Sequence, residues 1–258
     1  MTDYPLPNMS TDLTGQVALV TGTTSGLGKR FAQVLAACGA KVALTGRRAE
    51  RLEELAGELR ESGATVEPIV LDMCDTDSIM ACVDQAEKTL GTITILVNNA
   101  GIPDAQRAHK MSIELIDNVF DTNLRGPYVL SCEIARRLIA AELPGRMVNI
   151  SSVGGFNYSG HGAALYSITK SGIIRMTEAL AVEWARYNIN VNAIAPGAFA
   201  SEMMDGMLER MGDISQHFPR KRICDPAQMD STLLYFVSPA SEAVTGTYIK
   251  IDDGQGPR

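Results

Sequence analysis

Short β-branched runs alternate with amphipathic stretches along the whole chain, and this alternation narrows the accessible folds more than any other feature. Val17 to Thr21 precedes a helical pattern from Leu27 to Cys38, and Lys41 to Thr45 precedes one from Ala49 to Ser62. Thr65 to Val70 is followed by Thr76 to Leu90, and Thr94 to Val97 by a helical region reaching Ala140. The pattern continues through Arg146 to Ile150, a helix from about Ala163 to Tyr187, a strand from Ile189 to Ile194, a methionine-rich helical segment, a helix from Pro226 to Ser238 and a last strand from Thr247 to Ile251. The early strands are apolar with little alternation, as expected of parallel strands covered on both faces. The spacing predicts an α/β chain with a doubly wound, Rossmann-type fold: about seven parallel strands with helices on both faces. No linker, charge block or internal repeat divides the chain, so residues 13–258 are expected to form a single domain behind a flexible arm of residues 1–12.

Composition removes several function classes. With 30 acidic against 23 basic residues, a formal charge of -7 offers no field for a polyanionic nucleic acid or an anionic membrane surface. Five cysteines without a C-x-x-C spacing and three histidines make no metal-site pattern, and they suit a reducing, cytoplasmic setting. Met1 to Asp12 lacks the basic and apolar regions of a signal peptide, and no apolar run reaches the ~20 residues needed to cross a bilayer. The expected partner is a small molecule, with no nucleic acid, no membrane and no metal.

After the first strand runs Thr21-Gly22-Thr23-Thr24-Ser25-Gly26-Leu27-Gly28, a G-x-x-x-G-x-G turn into a helix. Glycines let the backbone approach a pyrophosphate, and the helix N-terminus supplies free N–H groups and the positive end of a dipole. A plain glycine-rich turn explains such a run equally well when it stands alone. Later motifs decide the matter. Asn98-Asn99-Ala100-Gly101, Asn123-Leu124-Arg125-Gly126, Ser151-Ser152 and Tyr166-x-x-x-Lys170 follow in order, each at the strand or helix position its chemistry requires. Together with the glycine spacing they cover nearly the whole chain and resemble the short-chain dehydrogenase/reductase family.

The resemblance implies a dinucleotide site formed by Gly22, Thr24, Ser25, Gly26, Leu27 and Gly28, with Asp72 and Met73 beside the adenine and Asn99, Ala100 and Gly101 after the fourth strand. It also implies contacts from Tyr166, Lys170, Pro196, Gly197 and Ser201. Ser201 stands where a threonine is usual and keeps the hydroxyl. Asp72 also reads as a helix N-cap or turn acid, and Asn98 and Asn99 as loop-stabilising amides. At the end of the second strand, Leu44-Thr45-Gly46-Arg47-Arg48 has glycine where an NAD-binding relative would carry an acid, and a guanidinium follows. A 2′-phosphate meets attraction there, so NADP(H) is the expected cofactor, through Arg47, Arg48 or both. The alternative is that both arginines are solvated charges opening the next helix.

Asn123, Ser152, Tyr166 and Lys170 are the expected catalytic set. Tyr166 and Lys170 are four apart in a helix and share a face. A free tyrosine titrates near ~10, and a cation at ~4 Å is worth about 4 kcal/mol at an effective dielectric of 20, roughly three pKa units. Lys170 with a nicotinamide cation can thus bring Tyr166 into range for proton transfer. Ser152 would polarise a carbonyl, with Ser151 a lesser candidate because the Ser152–Tyr166 interval of 166 − 152 = 14 is one longer than the family's commonest. By resemblance Asn123 holds a water linking Lys170 to solvent; its plain reading is a polar residue interrupting an apolar helix.

The reaction implied is reversible reduction of a small ketone, diketone or keto-sugar to a secondary alcohol. A 3-oxoacyl-thioester reductase is the second reading, weakened by the acidic balance and by Leu143 and Val182, which offer no basic surface to an acidic carrier. A non-catalytic NADP(H)-binding sensor and a structural subunit are further alternatives. Residues at about 198–220, with Met203, Met204, Met207 and Met211, read either as a lid over the substrate or as a packing stripe. The resemblance implies a homotetramer, and the ending Ile251-Asp252-Asp253-Gly254 departs from the family's usual tail.

Overall fold

The computed structural model describes residues 4–158, 160 and 162–256. Met1 to Asp3 of the expected arm, and residues 257–258, lie outside the described residues. Of the remaining arm, residues 4–9 are exposed, the Ser10 carbonyl accepts the Ser238 hydroxyl at 2.7 Å, and Leu13 is fully buried.

Seven strands form one parallel sheet in the order β3-β2-β1-β4-β5-β6-β7: β1 Val17–Thr21, β2 Lys41–Gly46, β3 Val66–Val70, β4 Ile95–Asn98, β5 Gly145–Ile150, β6 Ile189–Pro196 and β7 Tyr248–Ile251. Every pairing is parallel. The doubly wound expectation holds. Pro68 sits in β3, which pairs only with β2, and an edge strand tolerates a residue that cannot donate a ladder hydrogen bond.

The pleat sends alternate residues of β1 to opposite faces. Ala18 and Val20 pack in one core with α1 (Gly26–Ala37), α2 (Ala49–Glu61) and the last helix, α8 (Asp230–Val237). Val17 and Leu19 pack in the other with α3 (Thr76–Leu90), α5 (Gly126–Ala141) and α6 (Ala164–Trp184). Each fully buried Leu, Ile or Phe contributes roughly 1.5–3 kcal/mol, so both layers hold the sheet that carries the site.

The region expected to be helical up to Ala140 begins as a loop with a 3₁₀ turn over Ala108–Lys110 and continues as α4 (Ile113–Phe120), a π-helical turn over Asp121–Arg125, and α5. Met73's backbone carbonyl would lie 2.5 Å from a Cβ at Gly126, where α5 begins, so this junction is pressed closely onto the loop after β3. The helix expected to reach Tyr187 ends at Trp184 and tightens into a 3₁₀ turn over Ala185–Tyr187, and α8 is likewise preceded by a 3₁₀ turn over Pro226–Met229. Glu202–Met211 forms α7, whose residues are all at least partly exposed.

Candidate active site

The glycine turn joins β1 to α1 at the carboxyl edge of the sheet, between β2 and β4. This is where open α/β sheets place ligands. Gly22 and Gly26 have φ of 73° and 54°, in the left-handed region that favours glycine. The Asn99 amide ties the turn to the end of β4 by donating to the Thr21 carbonyl at 2.9 Å and the Gly22 carbonyl at 3.3 Å. From the other side, the Thr21 hydroxyl accepts from the Asn99 and Ala100 N–H groups, both at 2.9 Å. A Cβ at Gly28 would lie 2.1 Å from the Gly22 carbonyl oxygen, so the first turn of α1 presses directly against the loop. Among the described residues no side chain caps α1, and its first turn carries no acid, so its N–H groups and positive dipole end are left to a ligand. Exposed donors on a backbone that only glycine can follow fit a pyrophosphate.

At the end of β2 a Cβ on Gly46 would lie 3.1 Å from the Thr24 methyl. A side chain here would require the Thr24 methyl to give by a few tenths of an ångström. Arg47 is exposed, whereas Arg48 folds over the loop, donating to the Thr24 hydroxyl at 2.6 and 3.1 Å and to the Ser25 hydroxyl at 3.2 Å. Asp72 accepts from the Cys74 N–H at 3.0 Å, which bears out its reading as a turn acid, and Met73 beside it is buried. Leu27 packs partly buried against the core beneath α1.

Tyr166 and Lys170 emerge from the first turns of α6, with the lysine ammonium 5.6 Å from the centre of the tyrosine ring. The loop after β5 is stapled to this helix. The Ser167 hydroxyl donates to the Gly154 carbonyl at 2.6 Å, and the Ser171 hydroxyl donates to that of Gly155. Of the two serines, Ser151 is buried with its hydroxyl committed to the Lys170 carbonyl at 2.7 Å, while the Ser152 hydroxyl accepts the Gly154 N–H at 3.0 Å and lies near enough to Tyr166 to pull its pKa down. The longer interval is therefore absorbed in the loop and leaves Ser152 facing the phenol.

Asn123 lies in the π-helical turn, buried, and holds the backbone of Ile102 at both ends of its amide: Oδ1 accepts the N–H at 2.8 Å and Nδ2 donates to the carbonyl at 2.9 Å. A Cβ at Gly101 would lie 3.4 Å from both Asn123 Oδ1 and Lys170 Nζ, so the two side chains and the glycine backbone share one small space.

Charge in the ligand-free protein differs from the expectation. Burial pushes the Tyr166 pKa up, the Ser152 hydrogen bond pulls it down, and the carboxylate of Asp104 pushes it up again. Lys170 is not among the groups that lower it; its ammonium donates to the Ile150 carbonyl, 2.8 Å away. Burial in turn brings Lys170 down from its ordinary 10.5 to about 8. An unfolded lysine keeps its ordinary value, so between these pH values the unfolded chain binds more protons, and the contribution of this residue to stability rises with pH. The wild type should therefore gain urea-unfolding free energy relative to Lys170→Met between about pH 7 and about pH 10.5, on the order of 1.4 kcal/mol per pKa unit. A difference constant across that range would contradict burial of the charge.

Asp104 is a residue the sequence reading missed. Its buried carboxylate accepts the N–H groups of Leu165 at 2.9 Å and Tyr166 at 3.2 Å, capping α6 from a loop about sixty residues earlier in the chain. Ala163, the local capping position, provides no side-chain bond. The nearest signal in the sequence is an acid three residues after the N-N-A-G run. Gln255 was missed as well. Its side-chain oxygen accepts the Ala198 N–H at 2.6 Å, and a Cβ at Gly197 would lie 2.4 Å from it, so the C-terminal tail clamps the loop after Pro196. Ser201 caps α7 by accepting the Met204 N–H at 3.2 Å, and its side chain lies against Gly26. Among the described residues no cluster of three His, Cys, Asp or Glu stands ready to hold a metal.

A phosphate cradle that opens onto a tyrosine–lysine pair at the edge of a parallel sheet is the layout of an oxidoreductase working on hydroxyl and carbonyl groups. Direct comparison supplies the family: the model of short chain dehydrogenases matches residues 16–211, and the chain belongs to the short-chain dehydrogenase/reductase family. It is 33% identical over 248 residues to a 3-oxoacyl-[acyl-carrier-protein] reductase of Aquifex aeolicus, covering 95% of this chain and 99% of that one. Among solved structures it resembles a variant of actinorhodin polyketide ketoreductase with NADPH, at a TM-score of 0.89 and 32% identity over 94% of this chain and 98% of that one. A candidate 2-deoxy-D-gluconate 3-dehydrogenase of Agrobacterium tumefaciens with bound NADP is also similar, at a TM-score of 0.85 and 31% identity over 95% and 98% of the two chains.

Proposed function

We propose that this protein is an NADP(H)-dependent reductase that converts a small ketone, diketone or keto-sugar reversibly to a secondary alcohol. When bound, the cofactor supplies or accepts the hydride. Ser152 donates a hydrogen bond to the carbonyl oxygen as negative charge grows there, and the Tyr166 hydroxyl gives that oxygen its proton. Lys170 is close enough to swing its ammonium from the Ile150 carbonyl toward Tyr166 and favour the phenolate left behind. Asn123 fixes the Gly101–Ile102 backbone against which Lys170 lies.

The observation that carries the reading is Tyr166 with Lys170 on one helix face, the ammonium 5.6 Å from the ring, beside Ser152 and a glycine cradle. Arg48 over Thr24 and Ser25, with no acid at Gly46, supports NADP(H) over NAD(H). The likeness to the Aquifex reductase favours a second substrate class, 3-oxoacyl thioesters. Against it, Leu143 and Val182 are exposed apolar residues that offer nothing to an acidic carrier. Initial rates of NADPH and NADH oxidation, measured with ketones, diketones, keto-sugars and 3-oxoacyl thioesters, separate these readings. Faster NADPH oxidation with the first three groups is expected. A preference for NADH would sink the arginine argument, and NADPH binding without turnover on any panel would favour a sensor.

The helices α5 and α6 present exposed Tyr128, Ile168 and Val182, an apolar surface that suits assembly into a homotetramer. Light scattering should give four chain masses; a monomer at micromolar concentration would refute the assembly. No helix among the described residues is long and apolar enough to cross a membrane, and the five cysteines are free, which suits the cytoplasm.

A further inference from the structure

Glu202, the first residue of α7, lies far from β2 in sequence but beside its end in space. Its two carboxylate oxygens accept from one nitrogen of Arg48 at 3.0 and 3.2 Å, and Arg51 pairs with one of the same oxygens. These contacts hold the Glu202 carboxyl below the usual carboxylate range, with Arg51 the largest cause and the Ser25 hydroxyl and Arg48 adding to it. The same Arg48 guanidinium spans the Thr24 and Ser25 hydroxyls of the glycine turn. Ser201 packs on Gly26 of that turn, so the N-terminus of α7 rests on the outer edge of the cradle. Two guanidinium groups converging on one anion, with hydroxyl donors alongside, make an arrangement that a phosphate monoester would also satisfy.

We propose that Glu202 determines cofactor specificity by occupying, as an internal anion, the guanidinium fork that receives the adenosine 2′-phosphate. The proposal rests on the NADP(H) reading above. A nucleotide carrying the 2′-phosphate must displace the Glu202 carboxylate, whereas one with a free 2′-hydroxyl leaves it in place. The carboxylate and both arginines are roughly half exposed, so the pairing is weak enough for a phosphate of nearly two charges to displace it. Its loss removes one of the tethers holding α7 to the cradle. Arrival of the 2′-phosphate is thereby coupled to loosening of α7.

The test uses the full chain and two probes without a nicotinamide, adenosine 2′,5′-bisphosphate and adenosine 5′-monophosphate, which differ only in the 2′-phosphate. In calorimetric titrations, Glu202→Gln should tighten the bisphosphate by roughly two- to fivefold and leave the monophosphate unchanged. Hydrogen exchange of the amides of residues 202–211 should quicken when the bisphosphate binds wild type. In Glu202→Gln it should already be fast and respond little. Equal changes for both probes, or weaker bisphosphate binding, would overturn the proposal. If wild type prefers the bisphosphate but Glu202→Gln leaves that preference unaltered, only the role of Glu202 fails. If wild type binds both probes equally and Arg48→Ala changes neither, the NADP(H) reading fails and the proposal with it. Circular dichroism and the melting temperature of each variant exclude misfolding as the source of any change.

Discussion

Tyr166→Phe is expected to lower kcat by about 10²–10⁴-fold while leaving the NADPH dissociation constant within about threefold. The substitution removes one oxygen and keeps the ring. Tyr166 is partly buried on α6, beside Ser152 and within reach of Lys170. The ring left behind has no proton to give the carbonyl oxygen, and the remaining Ser152 hydroxyl is assigned to polarise that oxygen rather than to protonate it. Single-turnover rates, together with a fluorescence titration of NADPH, separate the chemical step from binding. If kcat falls by less than about tenfold, Tyr166 is not the proton donor.

Gly28→Ala should have the largest effect on the cradle. The added methyl would lie 2.1 Å from the Gly22 carbonyl oxygen and 2.4 Å from Asn99 Nδ2, two atoms that already hydrogen-bond each other at 3.3 Å. One neighbour is backbone, and the other is an amide fixed by a second bond to Thr21, so neither yields cheaply. The turn must open. A loss of about 3 kcal/mol or more of stability is expected, with nucleotide affinity falling by roughly a hundredfold or more as the α1 N–H groups lose their aim. Thermal unfolding and NADPH titration read both quantities. A variant that melts and binds like wild type would show that α1 does not press on the loop at this point.

These two predictions differ in how far the sequence alone could have led to them. Tyr166 was visible because a four-residue spacing on a helix is a local property, true of any α-helix whatever it packs against. Gly28 was visible as a glycine in a motif, but the reason that nothing else fits is its distance to the Gly22 carbonyl, set by the folded turn, and to the Asn99 amide, which the joining of β1 to β4 brings there. Asn123 shows the same division. The sequence marked it as a polar break in an apolar helix, and the structure makes that break a π-helical turn whose amide holds Ile102 at both ends.

Strand and helix periodicity, the glycine turn, the absence of an acid at Gly46 and the order of the motifs were all determined by the sequence, because each depends on neighbours within a few residues. Tertiary structure alone decided which arginine closes on the cradle, which of two serines faces Tyr166, and where the Lys170 charge rests before a ligand arrives. It also brought Asp104 to cap α6, Gln255 to clamp the loop at Gly197, and Glu202 to Arg48. Each of these pairs is separated by more than fifty residues. Their meeting depends on how parallel strands stack and where their carboxyl ends converge, and a pKa follows the burial and charge found there. Periodicity along a chain carries no record of either.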